Sequence, residues 1–160
     1  MGKKSKLKII PLGGLDEIGK NMTAFEYGNE MIIVDCGMAF PDEEMPGVDM
    51  VINDIAYVEK NKSKLKGIFL THGHEDHIGG LPYFLKSINV PVYGTRLTIA
   101  LVEHKLKEHN LLSKVKVVNV RAGNVVDACK SFKVEFIRTN HSIADSVALA
   151  ITTPQGVVIH

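Results

Sequence analysis

Thr71-His72-Gly73-His74-Glu75-Asp76-His77 follows the apolar run Ile68-Phe69-Leu70 and packs three imidazoles and two carboxylates into one short stretch. A buried strand that releases so many nitrogen and oxygen donors into a loop marks an α/β scaffold with a metal site, since such sites sit on loops held by rigid elements. A closed structural zinc site takes four ligands, usually with cysteine, whereas a hydrolytic centre keeps open positions and often a second cation about 3.5–4 Å away. The stretch therefore speaks to chemistry more than to folding. His72 and His74 are two apart, so in an extended segment they project to the same side and can pinch one cation. Asp76 and His77 come one turn later and would face a second, while Glu75 would point away. Ile78-Gly79-Gly80-Leu81-Pro82 reads as a turn feeding a helix near Pro82, where proline's fixed φ and missing N–H cost nothing.

Around this loop, short strands alternate with helices. The sequence predicts strands over Leu7–Leu12, Thr23–Tyr27, Met31–Asp35, Gly67–Thr71 and Val92–Gly94, helices over Ile55–Lys60 and Leu81–Ser87, and an amphipathic helix over Leu97–Leu112. Ala39–Met50, with its prolines and acidic residues, reads as an irregular surface loop. From Val115 onward the helices stop, and Lys116–Val120, Val125–Asp127, Phe132–Arg138, Val147–Thr153 and Val157–His160 read as strands. The 160 residues, 45% hydrophobic and 23% charged, suffice for one core and exclude two large domains. Two cysteines, Cys36 and Cys129, argue against a secreted disulfide framework. The basic start Met1–Lys8 lacks the apolar centre of a signal peptide, and no apolar run reaches membrane-spanning length. The expectation is a soluble cytoplasmic protein with no membrane partner.

Other residues leave alternatives open. His141 lies between Asn140 and Ser142 after a strand and is either a ligand or a polar turn residue. Asp35 is either the acceptor that fixes a metal-bound histidine through its other ring N–H, or a turn-former before Gly37. His104 and His109 lack convergent partners and read as surface residues; Cys36 reads as a small buried one. Gly13-Gly14 and Gly19 do not match a phosphate-binding loop and read as a tight turn. Lys60, Lys62, Lys64 and Lys66 form a cluster that touches phosphate or is merely solvated. The net charge of +1 points to no substrate.

The loop His72-x-His74-x-Asp76-His77 resembles the signature of the metallo-β-lactamase superfamily. Pro11–Met22, Ile33–Met38, Thr71–Gly80 and Asn140–Ser146 together resemble the ribonuclease J family, in the β-CASP branch of that superfamily; the one departure, Ala144 where many relatives have proline, touches no ligand. The resemblance covers about Leu7 to the last residue and implies an α/β fold, the N-terminal part of an αββα sandwich with an incomplete second half. It makes residues 7–160 one such domain behind a flexible basic stretch, 1–6. It implies metal ligands His72, His74, Asp76, His77 and His141, a supporting carboxylate at Asp35, and Asp76 as the group that orients the attacking water. Asp16, Glu17, Lys20 and Asn21 would border the substrate path. The implied activity is metal-dependent hydrolysis of single-stranded RNA, 5′-3′ exonucleolytic, endonucleolytic or both, with two Zn²⁺ ions and Mn²⁺ possible in their place. A bridging aspartate, one further histidine and an RNA-gripping inserted domain would lie beyond His160. The chain is thus expected to be an inert fragment of a longer protein that acts as a homo-oligomer or beside a complementing chain. A different hydrolase of the same fold, acting on a thioester or lactam, and a non-catalytic metal-binding fragment stay open.

Overall fold

The computed structural model describes residues 5–160, so Lys3 and Lys4 of the basic stretch lie outside it. In chain order the strands are β1 (Leu7–Gly13), β2 (Met22–Tyr27), β3 (Glu30–Val34), β4 (Met38–Ala39), β5 (Val51–Ile52), β6 (Leu65–Phe69), β7 (Val92–Gly94), β8 (Val117–Asn119), β9 (Val125–Cys129), β10 (Phe132–Arg138), β11 (Val147–Thr153) and β12 (Gly156–Ile159). The helices are α1 (Ala56–Lys60), α2 (Glu75–Ile78), α3 (Leu81–Ser87) and α4 (Arg96–Glu108). One sheet has the order β1-β2-β3-β6-β7-β8, a second the order β12-β11-β10-β9, and β4 pairs with β5 alone. The larger sheet is mixed: β1, β2 and β3 are antiparallel neighbours, whereas β3, β6, β7 and β8 run parallel.

Side-chain alternation builds two cores. Met31 and Ile33 of β3 face the helices with Ile68, Leu81, Ile99 and Leu106, while Ile32 and Val34 face the second sheet. A strand buried on both faces needs an unbroken apolar run, and Met31–Val34 is one. Phe132, Val134 and Phe136 of β10 and Leu149 and Ile151 of β11 close the inter-sheet core against Phe25 and Phe69. The opposite face of the second sheet is open to solvent, with Ile137, Val157 and Ile159 exposed. These layers match the expected N-terminal part of an αββα sandwich, and β12 lies at an edge of the second sheet.

The differences from the sequence reading are local. β6 begins and ends two residues earlier than expected: Leu65 already pairs with Met31 of β3, and at the far end Thr71 turns its N–H to the Asp35 carboxylate instead of to a neighbouring strand. The last helix stops at Glu108, where Asn110 takes a left-handed φ of 57° and folds Leu111 back into the core. The acidic loop after Ala39 is closed at its base by the β4–β5 ribbon, too short to leave a periodic signal.

One charge is buried at the end of the sheet remote from the histidines. Glu26, 2% exposed, accepts from Lys8 Nζ at 2.7 Å and Tyr57 Oη at 2.9 Å, and Lys64 Nζ lies 3.3 Å away. Burial alone would raise its carboxyl, but these donors more than offset that and hold it below its ordinary 4.5. Glu26→Gln should therefore destabilise the chain by about 2 kcal/mol near neutrality, since one partner of a buried network is lost. With the native value depressed, this contribution is present above pH 4.5 and fades as pH falls through the native value. Urea denaturation of both proteins across that range measures it; a gap that does not narrow on acidification would contradict the assignment.

Candidate metal centre

Because β3 and β6 are parallel neighbours, the chain leaves both at the same sheet edge, where open α/β sheets place their ligands. Asp35 is the first residue past β3. It has a left-handed φ of 59°, which aspartate tolerates better than most residues. Its buried carboxylate accepts from Thr71 N and Thr71 Oγ1, both at 2.8 Å, and from His77 Nδ1 at 2.7 Å. Thr71 Oγ1, having donated its proton to Asp35, is left to accept from His72 Nδ1 at 2.9 Å. This network assigns the tautomers: both His72 and His77 carry their proton on Nδ1 and turn the Nε2 lone pair outward.

Backbone bonds lock the same loops. Cys36 N donates to His77 O at 2.8 Å, Gly80 N to Cys36 O at 2.9 Å, and Asn21 N to Asp76 O at 2.9 Å. The approach is so close that a Cβ on Gly37 would run into the Asp76 carbonyl. α2 then carries Asp76 and His77 one turn past His74, and its Glu75 turns away to ion-pair with Lys105 of α4 at 2.7 Å.

His141 arrives from the second sheet, on the loop between β10 and β11. That loop is pinned by Val147 N donating to Thr71 O at 3.0 Å and by Ser146 Oγ donating to Ile143 O at 2.9 Å. Its ring lies 4.5 Å from that of His72 and 4.9 Å from that of His74. The structure thus brings His72, His74 and His141 together, with one ligand nitrogen from each within 4.8 Å of the others. Asp76 and His77 form a second pair beside this group: His77 Nε2 is 3.4 Å from Asp76 Oδ2, and the His77 ring lies 4.0 Å from that of His72.

The donor set fits a divalent cation. His74 and His141 meet no carboxylate among the described residues, and His72 Nε2 faces His74 Nδ1 at 3.1 Å. Burial pushes the His72 imidazole down to about 4, aided by the charge His77 can carry, so it is neutral near pH 7, as a ligand must be. Burial would also lower His77, but the hydrogen bond and charge of Asp35 more than offset it and hold it above its ordinary value.

Two residues play a larger part than the sequence showed. Asn21 Nδ2 donates to Asp76 Oδ2 at 3.0 Å and lies 3.2 Å from His77 Nε2, holding the second pair together, whereas the resemblance had set it only along the substrate path. Thr71 relays Asp35 to His72, and its signal was a hydroxyl directly after the strand. His104 and His109 stay outside, one exposed near Glu108 at 3.5 Å and the other edge-on to Tyr83 at 5.2 Å. Lys64 is engaged with Glu26 at the start of β6, the end opposite to His72, which is where the lysine cluster belongs. Among the described residues no helix is long and apolar enough to cross a membrane.

Comparison with known proteins agrees with this geometry. The chain is 52% identical over 155 residues to ribonuclease J of Synechocystis sp., covering 96% of this chain and 24% of that protein. It is 48% identical over 158 residues to ribonuclease J 2 of Staphylococcus saprophyticus, covering 99% of this chain and 28% of that protein. It therefore spans about a quarter of the length of these curated relatives. Among solved structures, the metallo-beta-lactamase fold protein YhfI from Bacillus subtilis superposes with a TM-score of 0.64 at 22% identity, over 98% of this chain and 61% of that one. Human tRNase Z, short form, superposes with a TM-score of 0.59 at 13% identity, over 96% and 67%. Residues 15–150 match the metallo-beta-lactamase superfamily as a whole, and with the histidine loop at the shared edge of its parallel strands the chain belongs to that superfamily.

Proposed function

We propose that this chain carries the metal-binding part of a ribonuclease centre that hydrolyses phosphodiester bonds of single-stranded RNA. The observation that supports it most is the convergence of His72, His74 and His141 beside the Asp76–His77 pair, in a chain about half identical to ribonuclease J proteins. In this reading His72, His74 and His141 hold one divalent cation, and Asp76 and His77 contribute to a second. Zinc suits the nitrogen-rich set, with manganese compatible where carboxylates are added. The chemistry such cations supply is Lewis acidity: water becomes a nucleophile at neutral pH and charge on the phosphoryl oxygens is neutralised.

The protein's own groups do the rest. Asp35 holds His77 directly and His72 through Thr71, so that both present a lone pair without rotating. Asn21 holds the Asp76 carboxylate, which would orient the attacking water while contributing to the second cation. The protein works in the cytoplasm, with cleavage from the 5′ end or within the strand, alone or as an oligomer.

Three measurements test this reading. Elemental analysis after purification without chelators should find about one equivalent of metal, because the first group has three donors and the second pair has two among the described residues. His74→Ala should lose most of it, and two tightly held equivalents would contradict the division of ligands. Asp35→Ala should lower stability by about 3 kcal/mol, from three lost hydrogen bonds and a left-handed alanine, and should weaken metal binding about 10–100-fold. Asp35→Asn, which tolerates the backbone, should fall between; an alanine variant as stable as the parent would remove the positioning role. In cleavage assays with 5′-monophosphorylated RNA and added zinc or manganese, this chain should be slower by several orders of magnitude than one extended to the length of its relatives, since positioning accounts for much of phosphoryl transfer. Asp76→Ala should abolish cleavage by the longer form. Equal cleavage by the two lengths would show that the chemistry needs fewer residues.

A further inference from the structure

The sequence has three arginines, Arg96, Arg121 and Arg138, widely separated along the chain. All three line one cleft of about 730 Å³ whose wall includes His141. Arg96 follows β7 and opens α4, Arg121 follows β8, and Arg138 ends β10, so three different elements deliver them to the edge that carries the histidines. Among the described residues no carboxylate lies within 4 Å of any of their guanidinium groups, because every ion pair found there is made by lysine or histidine. Asp145 is the one carboxylate in the lining, and it is turned toward the start of α4, where Leu97 N donates to it at 3.3 Å.

This concentration is selective. The chain as a whole carries a net charge of only +1, and among the described residues no lysine lines the cleft. A guanidinium matches phosphate in a two-pronged geometry that an ammonium lacks, so unpaired arginines gathered in one cleft mark a phosphate-recognising surface. No Phe, Tyr or Trp lines it, so the large aromatic platforms on which bases stack are missing and charge is left as the main attraction. We propose that the cleft of Arg96, Arg121 and Arg138 binds the phosphodiester backbone of single-stranded RNA, through charge and without reading sequence, and leads the strand past His141 to the histidine cluster. The proposal rests on the ribonuclease reading for the direction of the strand, and on the arginines alone for binding.

The test measures binding separately from cleavage. Anisotropy of a short 3′-labelled single-stranded RNA, titrated with the chain in chelator over a series of KCl concentrations, gives affinity and its salt slope. Each of Arg96→Gln, Arg121→Gln and Arg138→Gln should weaken binding about fivefold at low salt and flatten the slope by about 0.7, and the triple variant should flatten it by about 2. The triple Arg→Lys variant keeps the charge and should restore the slope, which separates a lost contact from a damaged fold. Lys60→Gln, remote from the cleft, should bind like the parent. A triple Gln variant with the parent's slope, or a parent chain that binds no RNA at low salt, would overturn the proposal. The two readings fail differently. Arginine-dependent binding in a protein that cleaves no RNA at the length of its relatives would sink the ribonuclease reading alone, and cleavage with arginine-independent binding would sink the cleft alone.

Discussion

The Asp35 carboxylate is removed from water and saturated by three donors, two from Thr71 and one from His77. A buried charge of this kind is tolerated only while its partners stay in place, and the partners here belong to a different strand exit. One side chain thus ties the end of β3 to the end of β6 and the start of α2. The backbone contacts of Cys36, Gly37 and Gly80 follow from that closeness, and so do the orientations of two imidazoles. Had the residue at 35 been neutral and apolar, the loop would still bury His72, but nothing would decide which nitrogen carried its proton.

Burial of the first group serves the same end. His72 lies deep enough to stay neutral, while His77, beside a carboxylate, is driven the other way. Two imidazoles with rings 4.0 Å apart therefore differ in basicity because one is packed and the other is paired. The remaining polar groups sort by distance from this edge. Glu26 and its lysines stabilise the far end of the sheet, and the arginines gather at the near end.

What could be read from the sequence was what neighbouring residues encode. His72, His74, Asp76 and His77 stand within six positions, so their convergence needs only a strand, a bend and a turn. The alternation in Phe132–Phe136 and the apolar run in Met31–Val34 likewise set the faces of β10 and β3. Asp35 and His141 were visible as candidates and undecided, because each depends on which strand ends share an edge. Thr71, Asn21 and the arginines were harder still. Thr71, Arg96 and Arg121 owe their place to the parallel register of β3, β6, β7 and β8, Asn21 to the loop that enters β2 and Arg138 to the end of β10 in the second sheet, all properties of the assembled sheets that no local period records. The lysine cluster shows the converse: it is prominent in the sequence, yet the fold sends Lys64 to Glu26. Short pieces such as α2 and the β4–β5 ribbon lack the length to show a period at all.

His72 and His74 enter with the first sheet, and His141 enters with the second. The loops carrying them are far apart in the chain, so closing the gap costs loop entropy. A cation shared by these three side chains would act as a crosslink between the layers, favouring the closed sandwich over any state in which the sheets have parted. The speed at which the folding chain captures metal would then report how fast its two halves seat against each other.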